Sequence, residues 1–329
     1  MKESEVLLEV KNLKTHFNTI NGVVPSVEDV SFYINKGEKV AIVGESGSGK
    51  SVTSLSIMRL LSETGKIIDG SIHFCGRNLI ELSEKDMRKI RGNEIAMVFQ
   101  EPLSSLNPVM TVGKQIMESI LLHQKTRKQN AKQQVIDLLN KVGIPRPEKV
   151  FSSYPHLLSG GMRQRVMIAM ALSCQPKLII ADEPTTALDV TIQAQILSIL
   201  KELSEQEEVA ILLITHDLGV VAEVADRVIV MYAGQVVEQA EIFSIFDYPK
   251  HPYTKALLNS TPKLDFSQTE LLSIEGTVPS PMEIPTGCRF YDRCDFSSEI
   301  CKQSPELKEI TDGHQVRCWL VEEAIDNRI

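Results

Sequence analysis

The sequence predicts an α/β fold built on a largely parallel sheet, with an antiparallel β subdomain, a helical insertion and a small cysteine-containing C-terminal domain. Three observations predict it. Short, continuously apolar runs at Val40–Val43, Ile95–Phe99, Leu178–Ala181 and Ala210–Ile214 fit strands buried on both faces, and helical patterns separate them. Between Glu101 and about Leu157 that strand signal disappears while helical spacing persists. After about Asp247, prolines at 249, 252, 262, 279, 281 and 285 break every period, and Cys288, Cys294, Cys301 and Cys318 follow.

In chain order, Leu7–Val10 and Val27–Ile34 alternate apolar and polar residues, as half-buried antiparallel strands do. Val40–Val43 runs into Gly44, and Val52–Leu61 then carries apolar residues at helical spacing, giving strand, glycine loop, helix. Met117–His123 and Asn130–Val142 read as helices of an insertion spanning about 101–165, the second ended by Pro145 and Pro147. A domain boundary is expected near Pro249, dividing the chain into 1–248 and 249–329.

Composition excludes several classes. Of 329 residues 43% are hydrophobic and 24% charged, enough for a sizeable core without cross-links. A net charge of −8 and a pI near 5.5 argue against a nucleic-acid surface; the basic stretches Lys85–Arg91 and Lys125–Lys132 read as solvated helix faces. Met1–Glu9 is short and acidic, without the apolar core of a secretory signal. The apolar runs Val209–Ile214 and Val228–Ala233 fall short of the ~18 residues of a membrane-spanning helix. We therefore expect a cytoplasmic chain; if it serves a membrane process, another chain does the spanning.

Gly44-Glu45-Ser46-Gly47-Ser48-Gly49-Lys50-Ser51 has the G-x-x-x-x-G-K-S spacing between a buried strand and a helix. Glycines 44, 47 and 49 let the backbone wrap phosphates closely, with amide N–H groups and the helix N-terminus facing the anion. In that pattern Lys50 reaches the β- and γ-phosphates of ATP and the Ser51 hydroxyl ligates Mg²⁺. Downstream, Leu178–Ala181 delivers Asp182 and Glu183 to the C-terminal end of a strand, where open α/β sheets bind ligands. Asp182 is suited to the Mg²⁺ shell and Glu183 to polarising an attacking water.

Leu158-Ser159-Gly160-Gly161-Met162-Arg163-Gln164 opens a helix, and here the sequence resembles the ABC ATPases, whose signature is L-S-G-G-Q-x-Q or a near variant; Met162 replaces the common glutamine. The resemblance covers about Leu7 to Tyr248 and implies a P-loop NTPase of the ABC-cassette type. It further implies that Gln100 touches Mg²⁺ and water, that Asp189 in Ala187-Leu188-Asp189 lies in the loop crossing a dimer interface, and that His216 contacts the γ-phosphate. By the same resemblance Phe17 stacks on adenine, and Ser159, Gly160 and Gly161 face the nucleotide held by a second subunit.

In the tail, His251-Pro252-Tyr253-Thr254-Lys255-Ala256-Leu257-Leu258, then Pro285-Thr286-Gly287-Cys288-Arg289-Phe290 and Arg293-Cys294, resemble oligopeptide and dipeptide importer ATPases, with nickel-importer ATPases close relatives. That resemblance implies an ATPase paired with a second, homologous ABC ATPase beneath two transmembrane permease subunits, fed by an extracytoplasmic substrate-binding protein, on the cytoplasmic face of the membrane. The alternatives are an importer ATPase for nickel or another small solute, and a soluble ABC ATPase outside transport. The four tail cysteines, with 5, 6 and 16 residues between them, lack the C-x₂₋₄-C pairs usual for structural zinc, and a reducing cytoplasm disfavours disulfides. A 4Fe–4S cluster, zinc and unligated thiols stay open on the residues alone, and the resemblance implies the cluster.

Overall fold

The computed structural model describes residues 5–101, 105–186, 188–260 and 274–321; Ala187 and Pro262, used in the readings above, lie outside them. By backbone proximity the chain forms two compact units. One comprises Met1–Glu5, Asn35–Glu38 and Glu81–Ile214; the other comprises Val6–Ile34, Lys39–Ile80 and Thr215–Ile329.

In the unit containing Glu81–Ile214, three parallel strands lie in the order Ala210–Ile214, Leu178–Asp182, Ile95–Val98. Every residue of the first two is buried, which is why their sequences run apolar without alternation. The expected insertion forms helices Val112–His123, Lys128–Lys141, Pro147–Phe151 and Gly160–Leu172. Val112, Ile116 and Ile120 on one helix and Ala131, Val135 and Leu139 on the next are fully buried at i, i+4, i+8 spacing. Pro147 opens a helix at its first turn, where a missing N–H costs nothing, as well as following the end of the previous one. A methyl group on Gly113 would lie 2.2 Å from the Phe151 ring, so that helix pair approaches as closely as only glycine permits.

In the other unit, a four-stranded sheet runs in the order Gly22–Asn35, Val6–Thr19, Gly65–Phe74, Arg77–Asn78, antiparallel across its last three members. Its two long strands extend well beyond the sequence expectation, and Gly65–Phe74 was not anticipated at all. The strand Lys39–Val43 pairs in parallel with Arg227–Tyr232, which continues antiparallel into Gln235–Glu241. The C-terminal segment adds a hairpin, Lys308–Thr311 and His314–Val316, whose second strand pairs with Gln235–Glu241. Pro249 therefore marks a change of composition, while packing carries on past it. Tyr232, Tyr253 and Phe290, from the strand, the helix Pro252–Asn259 and the tail, share one buried cluster with Val43 and Val230. Their rings lie 4.7–5.4 Å apart in tilted and edge-on geometry. No helix among the described residues is long and apolar enough to cross a membrane.

Candidate functional site

The strand Lys39–Val43 ends on Gly44, and the helix Lys50–Met58 begins six residues later. Gly44 has φ +151°, and a methyl group there would sit 2.1 Å from the Met231 carbonyl oxygen; Gly49, at φ +95°, would place one 2.6 Å from the Ser26 carbonyl oxygen. Only glycine closes this loop against its neighbours. Gly47 and Ser46 face solvent, whereas Ser48 is fully buried and its carbonyl accepts from the Gly234 N–H at 2.9 Å. Lys50 is 94% buried, yet its ammonium is satisfied within the loop by the carbonyls of Gly44 at 2.8 Å and Glu45 at 2.9 Å. Ser51 follows in the first helical turn, at the positive end of the helix dipole. A glycine loop, a helix start and a buried ammonium together make an anion cradle of the phosphate-binding kind. His216, in the same unit, is exposed at the end of the buried stretch before the helix Leu218–Val224. Phe17 is half-buried on the long first strand, its ring over Gly65, the residue opposite it in the ladder.

In the other unit, Asp182 ends its strand 94% buried and Glu183 follows with a left-handed φ of +47°. That backbone turn swings the Glu183 carboxylate out of the strand path. Its Oε2 accepts from Gln100 Nε2 at 2.7 Å and from Thr186 Oγ1 at 2.9 Å, while the Glu183 N–H donates to the Ile214 carbonyl. Gln100 and Glu183, 83 positions apart, are thus brought into direct contact. Ser159 caps the helix Gly160–Leu172, accepting from the Met162 N–H at 3.3 Å, and Asp189 caps Val190–Glu207, accepting from the Ile192 N–H at 2.9 Å. A methyl group on Gly161 would lie 2.7 Å from Ile192, so the two helix starts abut. Ser159 and Gly160 remain exposed on that edge, as does Asp189.

The four tail cysteines converge. Cys288, Cys294, Cys301 and Cys318 line one small cavity, closed by His251, Phe290 and Trp319. The Cys288 N–H donates to the Cys301 carbonyl at 2.8 Å, and Gly287 is pressed so closely on that carbonyl that a methyl group would sit 2.3 Å from it. Burial pushes the Cys288 thiol up to about 11 and Cys318 to about 12, with the neighbouring cysteines adding to the rise; Cys294 moves the same way. Left to themselves these three thiols stay protonated at neutral pH. Among the described residues no set of three or more His, Cys, Asp or Glu side chains is disposed to hold a metal ion.

Sequence reasoning missed Tyr253 and Arg293 as partners of the loop. The Glu45 N–H donates to Tyr253 Oη at 2.9 Å, and the Glu45 carboxylate accepts from Arg293 Nη1 at 2.8 Å and Nη2 at 3.1 Å. Glu45 was expected only as part of the phosphate cradle. Its side chain instead engages the tail, and no local signal could reveal partners more than 200 positions away.

Residues 27–186 match the ABC transporter family, and residues 237–301 match the oligopeptide/dipeptide transporter C-terminal region. The oligopeptide transport ATP-binding protein AppD of Bacillus subtilis is 56% identical over 319 residues, covering 96% of this chain and 97% of that protein. The chain belongs to the oligopeptide and dipeptide branch of the ABC transporter ATP-binding proteins. Within that family the dipeptide transport ATP-binding protein DppD of Escherichia coli is 50% identical over 95% of this chain and 96% of its own length. Among solved structures, the dimeric ATP-binding cassette MJ0796 bound to ADP and phosphate has a TM-score of 0.66 and 27% identity, covering 72% of this chain and 99% of that one. The fold is accordingly an ABC cassette of the P-loop NTPase class.

Proposed function

We propose that this chain binds and hydrolyses MgATP to drive an ABC importer of oligopeptides or dipeptides. The observation that carries it is the loop at 44–51, a backbone cradle with a buried lysine at its helix start, in a chain alike from end to end to peptide-transport ATP-binding proteins. In this reading the loop amides and Lys50 hold the β- and γ-phosphates and Phe17 takes the adenine. Ser51, Asp182 and Gln100 hold Mg²⁺, which supplies charge neutralisation on the phosphates. Glu183 accepts the proton of the attacking water, oriented by the Gln100 contact, and His216 senses the γ-phosphate. Exposed Ser159, Gly160 and Asp189, with half-buried Gly161, form the edge that completes the nucleotide site of a second ATPase subunit.

The partners implied are membrane permease subunits and a substrate-binding protein. In finer detail, we place the chain as one half of a heterodimer of ATPases beneath two permeases, peripheral on the cytoplasmic face. The four tail cysteines are proposed to hold a 4Fe–4S cluster in preference to zinc. The observation behind this reading is that Cys288, Cys294, Cys301 and Cys318 all line one cavity. Anaerobic purification with iron and sulfide analysis tests this; an iron-free preparation that folds and hydrolyses ATP overturns it. For the main proposal, the assembled importer in proteoliposomes should take up labelled di- or tripeptide with MgATP inside. Lys50→Ala should abolish uptake and ATP hydrolysis together, and peptide uptake that survives in Lys50→Ala refutes the assignment.

A further inference from the structure

The loop at 44–51 is held from outside by the C-terminal segment. Glu45, its second residue, is fixed at three groups: its N–H by Tyr253 Oη, its carboxylate by the two terminal nitrogens of Arg293, and its carbonyl by the Lys50 ammonium. The two tail residues therefore touch the same residue whose carbonyl steadies the phosphate-binding lysine. Neither of them is loosely placed. Tyr253 is fully buried in the aromatic cluster. The Arg293 side chain is 5% exposed, and its remaining N–H groups go to the Glu275 carbonyl at 2.8 Å, the Ile274 carbonyl at 3.4 Å and Tyr232 Oη at 3.3 Å. Its guanidinium also lies 5.7 Å from the Tyr232 ring centre and 5.9 Å from that of Phe290.

The chemistry of this clamp suits a positioning task. A glycine-rich loop loses more backbone freedom on ordering than any other kind of segment. Whatever fixes it beforehand spares the ligand that cost. A two-pronged arginine–carboxylate contact sets both distance and plane, which a lysine ammonium cannot do. The clamp is also continuous with the cysteine cavity, since Arg293 directly precedes Cys294 and Phe290 lines that cavity. The short stretch between Cys288 and Cys294 thus faces the thiols on one side and reaches the phosphate loop on the other.

We propose that Arg293 and Tyr253 are positioning residues for the phosphate loop, through which the C-terminal cysteine module sets the affinity for nucleotide. This rests on reading 44–51 as the ATP-phosphate loop, and its test separates the two. Full-length Arg293→Ala, Arg293→Lys, Tyr253→Phe, Glu45→Gln and Arg293→Ala/Glu45→Gln are compared with Lys50→Ala for equilibrium binding of MgATP and for steady-state hydrolysis. Arg293→Ala should weaken MgATP binding and raise KM about tenfold, with kcat changed less than about twofold, as expected for one lost charge-assisted contact. Arg293→Lys should recover part of that loss, and Tyr253→Phe should weaken binding severalfold. The double variant should be no weaker than Arg293→Ala alone, because both changes remove the same contact.

Wild-type binding in Arg293→Ala and Tyr253→Phe, with Lys50→Ala defective, overturns the clamp and leaves the loop assignment intact. Wild-type binding in Lys50→Ala overturns both. Losses in the two single variants that add up in the double one also count against the clamp. If Arg293→Ala fails to fold, Glu45→Gln and Tyr253→Phe decide alone: weakened binding upholds the clamp and unchanged binding refutes it, each removing no more than a charge or a hydroxyl.

Discussion

His251 joins stability to pH in the C-terminal segment. It is fully buried, and its Nδ1 caps the helix Pro252–Asn259 by accepting from the Tyr253 N–H at 3.0 Å. Only the neutral ring with an unprotonated Nδ1 can accept there. Burial lowers the affinity of the ring for a proton, the Glu238 carboxylate opposes it, and the outcome is a value depressed from 6.5 to about 4. In the unfolded chain the same ring takes up a proton near 6.5, so below that point the unfolded state binds more protons and gains on the folded one. The stabilisation is thus present above about 6.5 and lost as pH falls from there toward about 4. Integrating the linkage relation over that difference gives a loss of about 2 kcal/mol between pH 7 and pH 5. His251→Asn keeps an acceptor at the capping position and removes the titration. Its packing deficit against Phe290, whose ring centre lies 6.0 Å away, is the same at every pH. Denaturant titrations of both proteins from pH 7 to pH 5 should therefore show stability curves that converge by about 2 kcal/mol toward acid. Parallel curves would refute the assignment of a neutral, capping His251.

Three further outcomes are expected. Glu183→Gln should bind MgATP normally and slow hydrolysis roughly 10²–10⁴-fold in a single-turnover assay, the usual contribution of a positioned base; near wild-type turnover would remove Glu183 from that role. Glu238→Gln should cost about 1–3 kcal/mol in thermal denaturation at neutral pH. The fully buried carboxylate accepts from the amides of Lys250 and His251 and from His314 Nε2, and an amide nitrogen would face one of those donors. Burial alone would raise the Glu238 carboxyl, but these hydrogen bonds hold it below the ordinary value, so the deficit is present above about 4.5 and fades as pH falls through the folded value. Gly44→Ala should destabilise by about 1–3 kcal/mol in the same assay, because the added methyl group would collide with the Met231 carbonyl, a backbone atom with little room to move.

What could be read from the sequence follows from how each feature is encoded. The strands Leu178–Asp182 and Ala210–Ile214 are buried on both faces, so their identity is written in every residue. The loop at 44–51 is encoded as compactly, since its chemistry needs fixed residue types at fixed spacing. The run Val228–Ala233 was weighed only as too short to span a membrane and not as a strand, with buried Arg227 at its start, and Gln235–Glu241 escaped notice because buried Gln235, Glu238 and Gln239 interrupt its apolar pattern. Those polar residues are tolerated in the interior because they are partnered: Glu238 by the tail, Gln239 by Gln315, and Arg227 by the Tyr33 carbonyl and ring. Gly65–Phe74 hid for the opposite reason, being half exposed and broken by Asp69 and Gly70, with no stretch apolar enough to stand out.

The tail shows where such reading ends. Its composition announced a distinct segment, and the spacing of its cysteines forecast neither their shared cavity nor any attachment to the rest of the chain. Convergence of positions 288, 294, 301 and 318 is a property of the chain path, which winds through short helical turns and a hairpin before Cys318 returns to Cys288. The anchoring contacts are of the same kind. Glu238 reaches His314 across 76 positions, and Arg293 reaches Glu45 across 248. A buried carboxylate and a buried guanidinium are each costly unless fully paired, so a fold that keeps both must hold their partners in place. That requirement makes the tail an integral support of the strand and loop beside it. The Glu45–Arg293 pair that fastens the tail also fixes the start of the phosphate loop, so a perturbation of the tail should be felt first in nucleotide affinity.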